Sequence, residues 1–181
     1  MGFHMFEQEQ LKGFAKDIAT VLVIVVAFLF LCKLAFGLWV PMFVVSSGSM
    51  EPHMNIGDII FVQNISRTTI TTQQDALASS SSHTTFKGSG DVILYRPYGS
   101  GGSVPIVHRA MYYVEAGEEM WPDGPKAPHA GYMTKGDNNV TNSLMDQQTG
   151  IMPNTPIKEE WVIGIAKFKI PYIGKLRLIF S

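Results

Sequence analysis

Three stretches of the chain carry side chains whose types and spacing could do chemistry. Ser46-Ser47-Gly48-Ser49-Met50-Glu51-Pro52, followed by Ile56-Gly57-Asp58, sets a serine in a tight glycine-containing turn. Such a turn can expose Oγ as a nucleophile and aim backbone N–H groups at one point, where they stabilise an oxyanion. Val104-Pro-Ile-Val-His108-Arg109 ends an apolar run on a histidine, the side chain best suited to general-base work near neutral pH. Thr134-Lys-Gly-Asp137-Asn138-Asn139, with Asp146 beyond it, supplies carboxylates that can orient an imidazole. Taken singly, each stretch has an ordinary reading. Ser-Gly-Ser is commonly a turn, a histidine at a strand end is commonly satisfied there, and Gly-Asp-Asn-Asn commonly bonds its own backbone.

The elements that must position these groups follow from composition. The 181 residues are 46% hydrophobic and 16% charged, where a soluble domain carries about 25% charge. The deficit points to a membrane segment. Residues 18–39 supply it, and residues 21–32 contain no polar side chain apart from Cys32. With its flanks the run reaches the ~20 residues needed to cross hydrocarbon. Lys33 is placed to snorkel, and Trp39 to sit among headgroups. A retained anchor is expected rather than a cleaved secretory signal, because the run is long and no small-x-small cleavage site follows it. Lys12 and Lys16 favour a cytoplasmic N-terminal segment over residues 1–17, with residues 40–181 outside. Cys32, the only cysteine, reads as lipid-facing or packed filler. The net charge of −1 offers no basic field for nucleic acid.

Beyond Pro41 the texture is β-type. Phe43-Val-Val45, Ile59-Ile-Phe-Val62, Val92-Ile-Leu-Tyr95, Ile106-Val107, Met111-Tyr-Tyr-Val114 and residues 161–170 are rich in β-branched and aromatic residues between Gly, Pro, Asn and Asp punctuation. A mainly β domain of coiled sheet is expected, with one N-terminal transmembrane helix. Residues 66–90, loaded with Ser, Thr and Gln, read as a solvated flexible loop or insertion, and residues 99–103 as a flexible turn.

In their order behind an apolar anchor, these boxes resemble the type I signal peptidases of the archaeal and endoplasmic-reticulum kind. The resemblance rests on Ser47-Gly-Ser-Met-Glu-Pro52, Ile56-Gly-Asp58, Gly90-Asp-Val-Ile-Leu-Tyr-Arg-Pro97, Ile106-Val-His-Arg109, Thr134-Lys-Gly-Asp-Asn-Asn139 and Trp161-Val-Ile-Gly164. It implies a Ser–His enzyme, where bacterial relatives use Lys as the base. Ser49 matches the nucleophile and His108 the general base. Ser47 matches a position that helps the backbone N–H of Ser49 form the oxyanion hole. Asp137 and Asp146 match two acidic positions. The second is displaced here, since Ser143 stands where the commoner spacing has Asp, and which of the two orients His108 stays open. His53, next to the Met-Glu-Pro run, is not taken as the base. His4, His83 and His129 read as solvated.

The resemblance further implies cleavage of signal peptides of secretory preproteins after small residues, with Phe43, Val44, Val45, Met50 and Ile106 as candidate substrate-binding residues. It calls for no metal or organic cofactor. It implies contact with membrane lipid and the protein-export machinery, and residence in the cytoplasmic membrane, or the endoplasmic-reticulum membrane in a eukaryote. Two other readings compete. Self-cleaving repressor proteases share the β core but are soluble and use Lys. A membrane-tethered β-domain that binds peptides or scaffolds subunits would need no catalysis. The apolar tail over residues 170–181 is too short to span a membrane, and Lys175 and Arg177 suit an interfacial or strand role.

Overall fold

The computed structural model describes residues 2–79 and 83–171. The expectations placed on residues 80–82 and on the tail from residue 172, Lys175 and Arg177 among them, lie outside the described residues, as does the side chain of His4.

The chain opens with α1 (Gly2–Phe36). Within it Gln10–Phe36, 27 residues, is long and apolar enough to cross a membrane by length and composition. At 1.5 Å per residue this is about 40 Å of helix, against roughly 30 Å of hydrocarbon. The helix starts well before the span expected from hydropathy, because the polar residues ahead of Ile18 continue it. It also stops short of Trp39. Gly37 takes φ +74° and its N–H returns to the Lys33 carbonyl at 3.0 Å, which closes the last turn. Lys33 Nζ donates to the Gly37 carbonyl at 2.9 Å and lies over the Trp39 ring. Two further helix-end carbonyls are capped from the β-domain. Asn64 N–H donates to the Phe36 carbonyl at 2.8 Å, and the Arg67 guanidinium donates to the Leu34 carbonyl. Cys32 is buried, so it packs rather than facing outward.

The remainder is a six-stranded antiparallel sheet in the order β1-β2-β8-β5-β6-β7. Its strands are β1 (Met42–Val44), β2 (Ile59–Gln63), β5 (Val92–Tyr95), β6 (Ile106–Val114), β7 (Gly131–Lys135) and β8 (Val162–Ile170). A short hairpin, β3 (Thr84–Thr85) with β4 (Gly88–Ser89), stands apart from it. Register shifts at Phe61/Val62, Leu94/Tyr95 and Ala110/Tyr112 add local twist and coil the sheet. Strand β5 is buried on both faces, which is why it reads as an unbroken apolar run. Ile93 and Tyr95 enter a core with Ala110, Tyr132, Ile157 and Ile165, while Val92 and Leu94 enter a second core with Val45, Met50, Met54, Ile60 and Val62.

The mainly β reading with one apolar helix describes this architecture, and three details differ from expectation. Ile106-Val107 and Met111–Val114 are one strand, since the polar pair between them, His108 and Arg109, is itself buried. Strand β7 was not expected, and only its last two residues, Thr134 and Lys135, fall in a box that reads as a turn. Residues 66–90 are not a featureless loop. Thr72 and Asp75 form a capping box that starts α2 (Gln73–Ala78), and Ile70, Thr72 and Ala76 are buried. The Ser, Thr and Gln content thus serves caps and turns as well as solvent.

Candidate active site

Strand alternation sends neighbouring side chains of β6 to opposite faces. His108 lies opposite Ile93 on β5, and Ala110 lies opposite Thr134 on β7. The face of His108 is therefore shared with Tyr95 and Thr134, and Arg109 points the other way.

On the His108 face sits Asp146, at the start of a tight turn (Asp146–Gln148) and fully buried. Its Oδ2 is 2.7 Å from His108 Nδ1, 2.8 Å from the Tyr95 hydroxyl and 2.7 Å from Thr134 Oγ1. An ionised carboxylate only accepts hydrogen bonds. Nδ1 of His108 therefore carries a hydrogen, and Nε2 is left as the basic nitrogen. Burial first, and then the charge of Asp146, push the Tyr95 phenol well above its ordinary value, so it remains a donor. The turn itself is held by Thr149 Oγ1 and Met152 N–H on the Asp146 carbonyl, at 2.8 and 3.1 Å.

On the opposite face Asp137 meets Arg109. Nε donates to Oδ1 at 2.8 Å and Nη2 to Oδ2 at 2.6 Å, a bidentate pair. His53 Nδ1 adds a third contact to Oδ2 at 2.7 Å. The remaining Arg109 donors reach Thr85, Gly88, Ser89 and Gly90, so one buried guanidinium fastens the β3–β4 hairpin to the Gly-Asp-Asn-Asn loop. Asp137 makes no hydrogen bond to His108 among the described residues.

That loop also grips the serine turn. Asn138 N–H donates to the Ser49 carbonyl at 2.9 Å, and Asn138 Nδ2 donates to the Gly48 carbonyl at 2.9 Å. A Cβ at Gly136 would lie 2.6 Å from the Ser49 oxygen and 2.7 Å from Asn142 Cγ, closer than side chains pack, so glycine is required for the approach. Ser47 and Ser49 hydroxyls are 3.3 Å apart. The Ile56-Gly57-Asp58 box supports the turn from behind. Val45 N–H donates to the Asp58 carbonyl at 2.9 Å and Gly57 N–H to the Val45 carbonyl at 2.8 Å, while Lys169 Nζ reaches Asp58 Oδ2 at 2.6 Å.

Ser47, Ser49 and His108 line one cavity of about 890 Å³, together with Phe43, Val44, Val45 and Ile106. No hydrogen bond joins Ser49 to His108 among the described residues. Catalytic hydrogen bonds commonly tighten only when substrate is bound. Met50 does not line the cavity. It is fully buried in the core with Met54 and Ile60, because the turn that exposes Ser49 drives the next side chain inward. Two of the histidines read as solvated are partnered. His83 Nε2 is 2.9 Å from the buried Asp91, and His129 is half-buried against Trp161 with Nδ1 3.0 Å from the Ala130 carbonyl. Sequence reasoning gave no role to Tyr95, Arg109, Asn138 or Asn142. Their one visible signal is a polar side chain inside, or directly after, an apolar or glycine-bearing box. Among the described residues no three His, Cys, Asp or Glu side chains converge as a metal-ligand set.

No family model matches the sequence. Comparison with curated proteins finds similarity to signal peptidase complex catalytic subunits of fungi. The chain is 30% identical over 141 residues to that of Sclerotinia sclerotiorum, covering 78% of this chain and 64% of the relative. It is 29% identical over 141 residues to that of Neurospora crassa, with the same coverage. It is 29% identical over 144 residues to that of Saccharomyces cerevisiae, covering 78% and 66%. The chain thus matches less than two thirds of the length of these relatives.

Proposed function

We propose, from its similarity to signal peptidase complex catalytic subunits, that the chain is a membrane-anchored serine endopeptidase that removes N-terminal signal peptides from exported preproteins. The observation that carries this reading is one cavity lined by both Ser49 and His108, with His108 Nδ1 held by a buried carboxylate.

Ser49 is the nucleophile. His108 Nε2 accepts its proton as Oγ attacks the scissile carbonyl and returns the proton to the leaving amine. Asp146 orients the imidazole and stabilises the imidazolium. Asp137 takes a different part, holding the loop that fixes the serine turn. The Ser49 N–H and the Ser47 hydroxyl supply the oxyanion site. Water then hydrolyses the acyl-enzyme. Strand β1 is an edge strand beside the cavity, so its unpaired backbone groups can receive the substrate in extended form. Phe43, Val44, Val45 and Ile106 restrict the side chains that fit. With Gln10–Phe36 as the anchor, residues 40–181 form the catalytic domain outside the cytoplasm, close to where the substrate's own apolar segment ends. The membrane is the cytoplasmic one, or that of the endoplasmic reticulum in a eukaryote, and the partners are preproteins, lipid and the export machinery.

The test is cleavage of a preprotein by membranes carrying the wild-type chain, Ser49→Ala or His108→Ala, at matched expression. Each variant should lose roughly a thousandfold or more in rate. Variants as active as wild type would return the chain to the tethered peptide-binding reading.

A further inference from the structure

Asp146 has an unusual set of partners. All three of its side-chain hydrogen bonds fall on Oδ2, from His108, Tyr95 and Thr134. Oδ1 is buried and accepts none from the described residues. An ionised carboxylate can only accept these bonds. Gln147 Nε2 lies 3.4 Å from Thr134 Oγ1 and, as an amide nitrogen, can only donate, which leaves the Thr134 hydrogen free to point to Asp146. Gln147 Oε1 meanwhile accepts from Thr134 N–H at 3.1 Å, which sets the amide orientation. Tyr95, in a strand whose other residues, Val92, Ile93 and Leu94, are all apolar and buried, donates to Asp146 Oδ2 with the Thr134 hydroxyl also beside its phenol.

We propose that Tyr95 and Thr134 are positioning residues that hold Asp146 and set how strongly it draws on the Nδ1–H of His108. The inference rests on the peptidase reading above for its catalytic consequence. A carboxylate oxygen that already accepts two hydroxyl hydrogens shares its charge among three donors. Each donor weakens the pull on the third and restricts where the oxygen can sit. With nothing on Oδ1 from the described residues, loss of one hydroxyl has no neighbouring contact to replace it. The groups facing Asp146 are the imidazole of His108 from β6, the phenol of Tyr95 from β5 and the uncharged hydroxyl of Thr134 from β7. Gln147, the next residue of its own turn, is uncharged. Arg109, Asp137 and His53 lie across the strand in the other cluster.

Removal of either hydroxyl should therefore have two effects. Asp146 gains freedom, so the imidazole is held less firmly in the Nδ1–H form. What charge remains on Oδ2 is undivided, so the doubly protonated imidazolium persists to higher pH. The experiment uses full-length protein in detergent micelles with ¹⁵N-labelled histidine, as wild type, Tyr95→Phe, Thr134→Val and Thr134→Ser. Nitrogen shifts report which ring nitrogen carries hydrogen, and preprotein cleavage is followed against pH. In Tyr95→Phe and Thr134→Val the His108 signal should show a mixture of tautomers. Their kcat should fall roughly ten- to a hundredfold with KM held, and the acid limb of the rate profile should move up by about half to one pH unit. Thr134→Ser, which keeps the hydroxyl, should restore the wild-type pattern, and the His53 and His83 signals should not move. Tautomer and acid limb unchanged in both hydroxyl-deleting variants would overturn the proposal. So would equal movement of the His53 and His83 signals, which marks general loosening. A tautomer change in a chain whose wild type cleaves no preprotein would uphold the Asp146 coupling and remove the peptidase reading instead.

Discussion

Two carboxylates, Asp137 and the buried Asp146, lie on opposite sides of the same strand, and they are held in opposite ways. Asp137 faces Arg109, a fixed cation that grips both of its oxygens, with His53 as a further partner. Asp146 faces two hydroxyls and one imidazole, with no permanent positive charge among its partners. A carboxylate already neutralised by a guanidinium has little charge left for a proton arriving on a neighbouring ring. One held by neutral donors keeps its charge until an imidazolium forms beside it. The first arrangement suits a clamp and the second suits a reaction, although both follow the Thr134-Lys-Gly box in sequence.

Substitutions can break or sharpen that contrast. The largest effect on turnover is expected from Asp146→Asn. An amide can present its own hydrogen to Nδ1 and so favour the opposite tautomer, and kcat should fall by roughly three to four orders of magnitude, read as preprotein cleavage. Thermal stability should change less than turnover. Asp137→Asn should do the reverse. It leaves the buried Arg109 charge without its partner, at a cost of about 3–5 kcal/mol in unfolding free energy by chemical denaturation, while kcat in the folded fraction falls less than about tenfold. Equal turnover losses from the two substitutions would dissolve the distinction. Arg109→Lys keeps the charge and loses the fork. It should cost about 1–3 kcal/mol and raise amide hydrogen exchange at residues 84–90 and 136–138 together. His53→Gln, at a partly exposed site, should cost less than about 1 kcal/mol. The smallest effect is expected at alkaline pH. The Tyr95 phenol, raised by burial and then by Asp146, resists ionisation when folded but ionises near its ordinary value of 10.0 when unfolded. Its contribution to stability is present below that pH and is lost as pH rises through the folded value. Melting temperature measured between pH 8 and 12 should fall less steeply in Tyr95→Phe than in wild type. Asp137→Asn should leave that slope unchanged.

Much of this was legible in the sequence, and the rest had physical reasons to be hidden. The β-branched runs named most strands because burial on one or both faces demands them. Strand β7 escaped because Gly131-Tyr-Met-Thr-Lys135 is short and ends in the residues that begin a turn. Strand β6 looked like two pieces because His108 and Arg109 interrupt its apolar pattern, yet each finds an acid on its own side. The serine turn and the histidine were visible as boxes, but their partners were not. The contact from His108 to Asp146 spans 38 positions and that from His53 to Asp137 spans 84, separations that no local pattern encodes. Met50, adjacent to Ser49, shows the converse limit. Nearness in sequence suggested a cavity wall, and the turn sent the side chain into the core.

The helix-end carbonyls of Leu34 and Phe36, closed by Arg67 and Asn64, tie the end of α1 to the segment that follows β2. With α1 in a bilayer, the sheet rides on a mast rather than a leash. The cavity then has a fixed altitude above the lipid and works as a depth gauge, meeting whichever stretch of a passing polypeptide lies at that height. Since about 40 Å of helix exceeds roughly 30 Å of hydrocarbon, the mast must lean or protrude. Bilayer thickness thereby sets how far the cavity stands from the lipid surface.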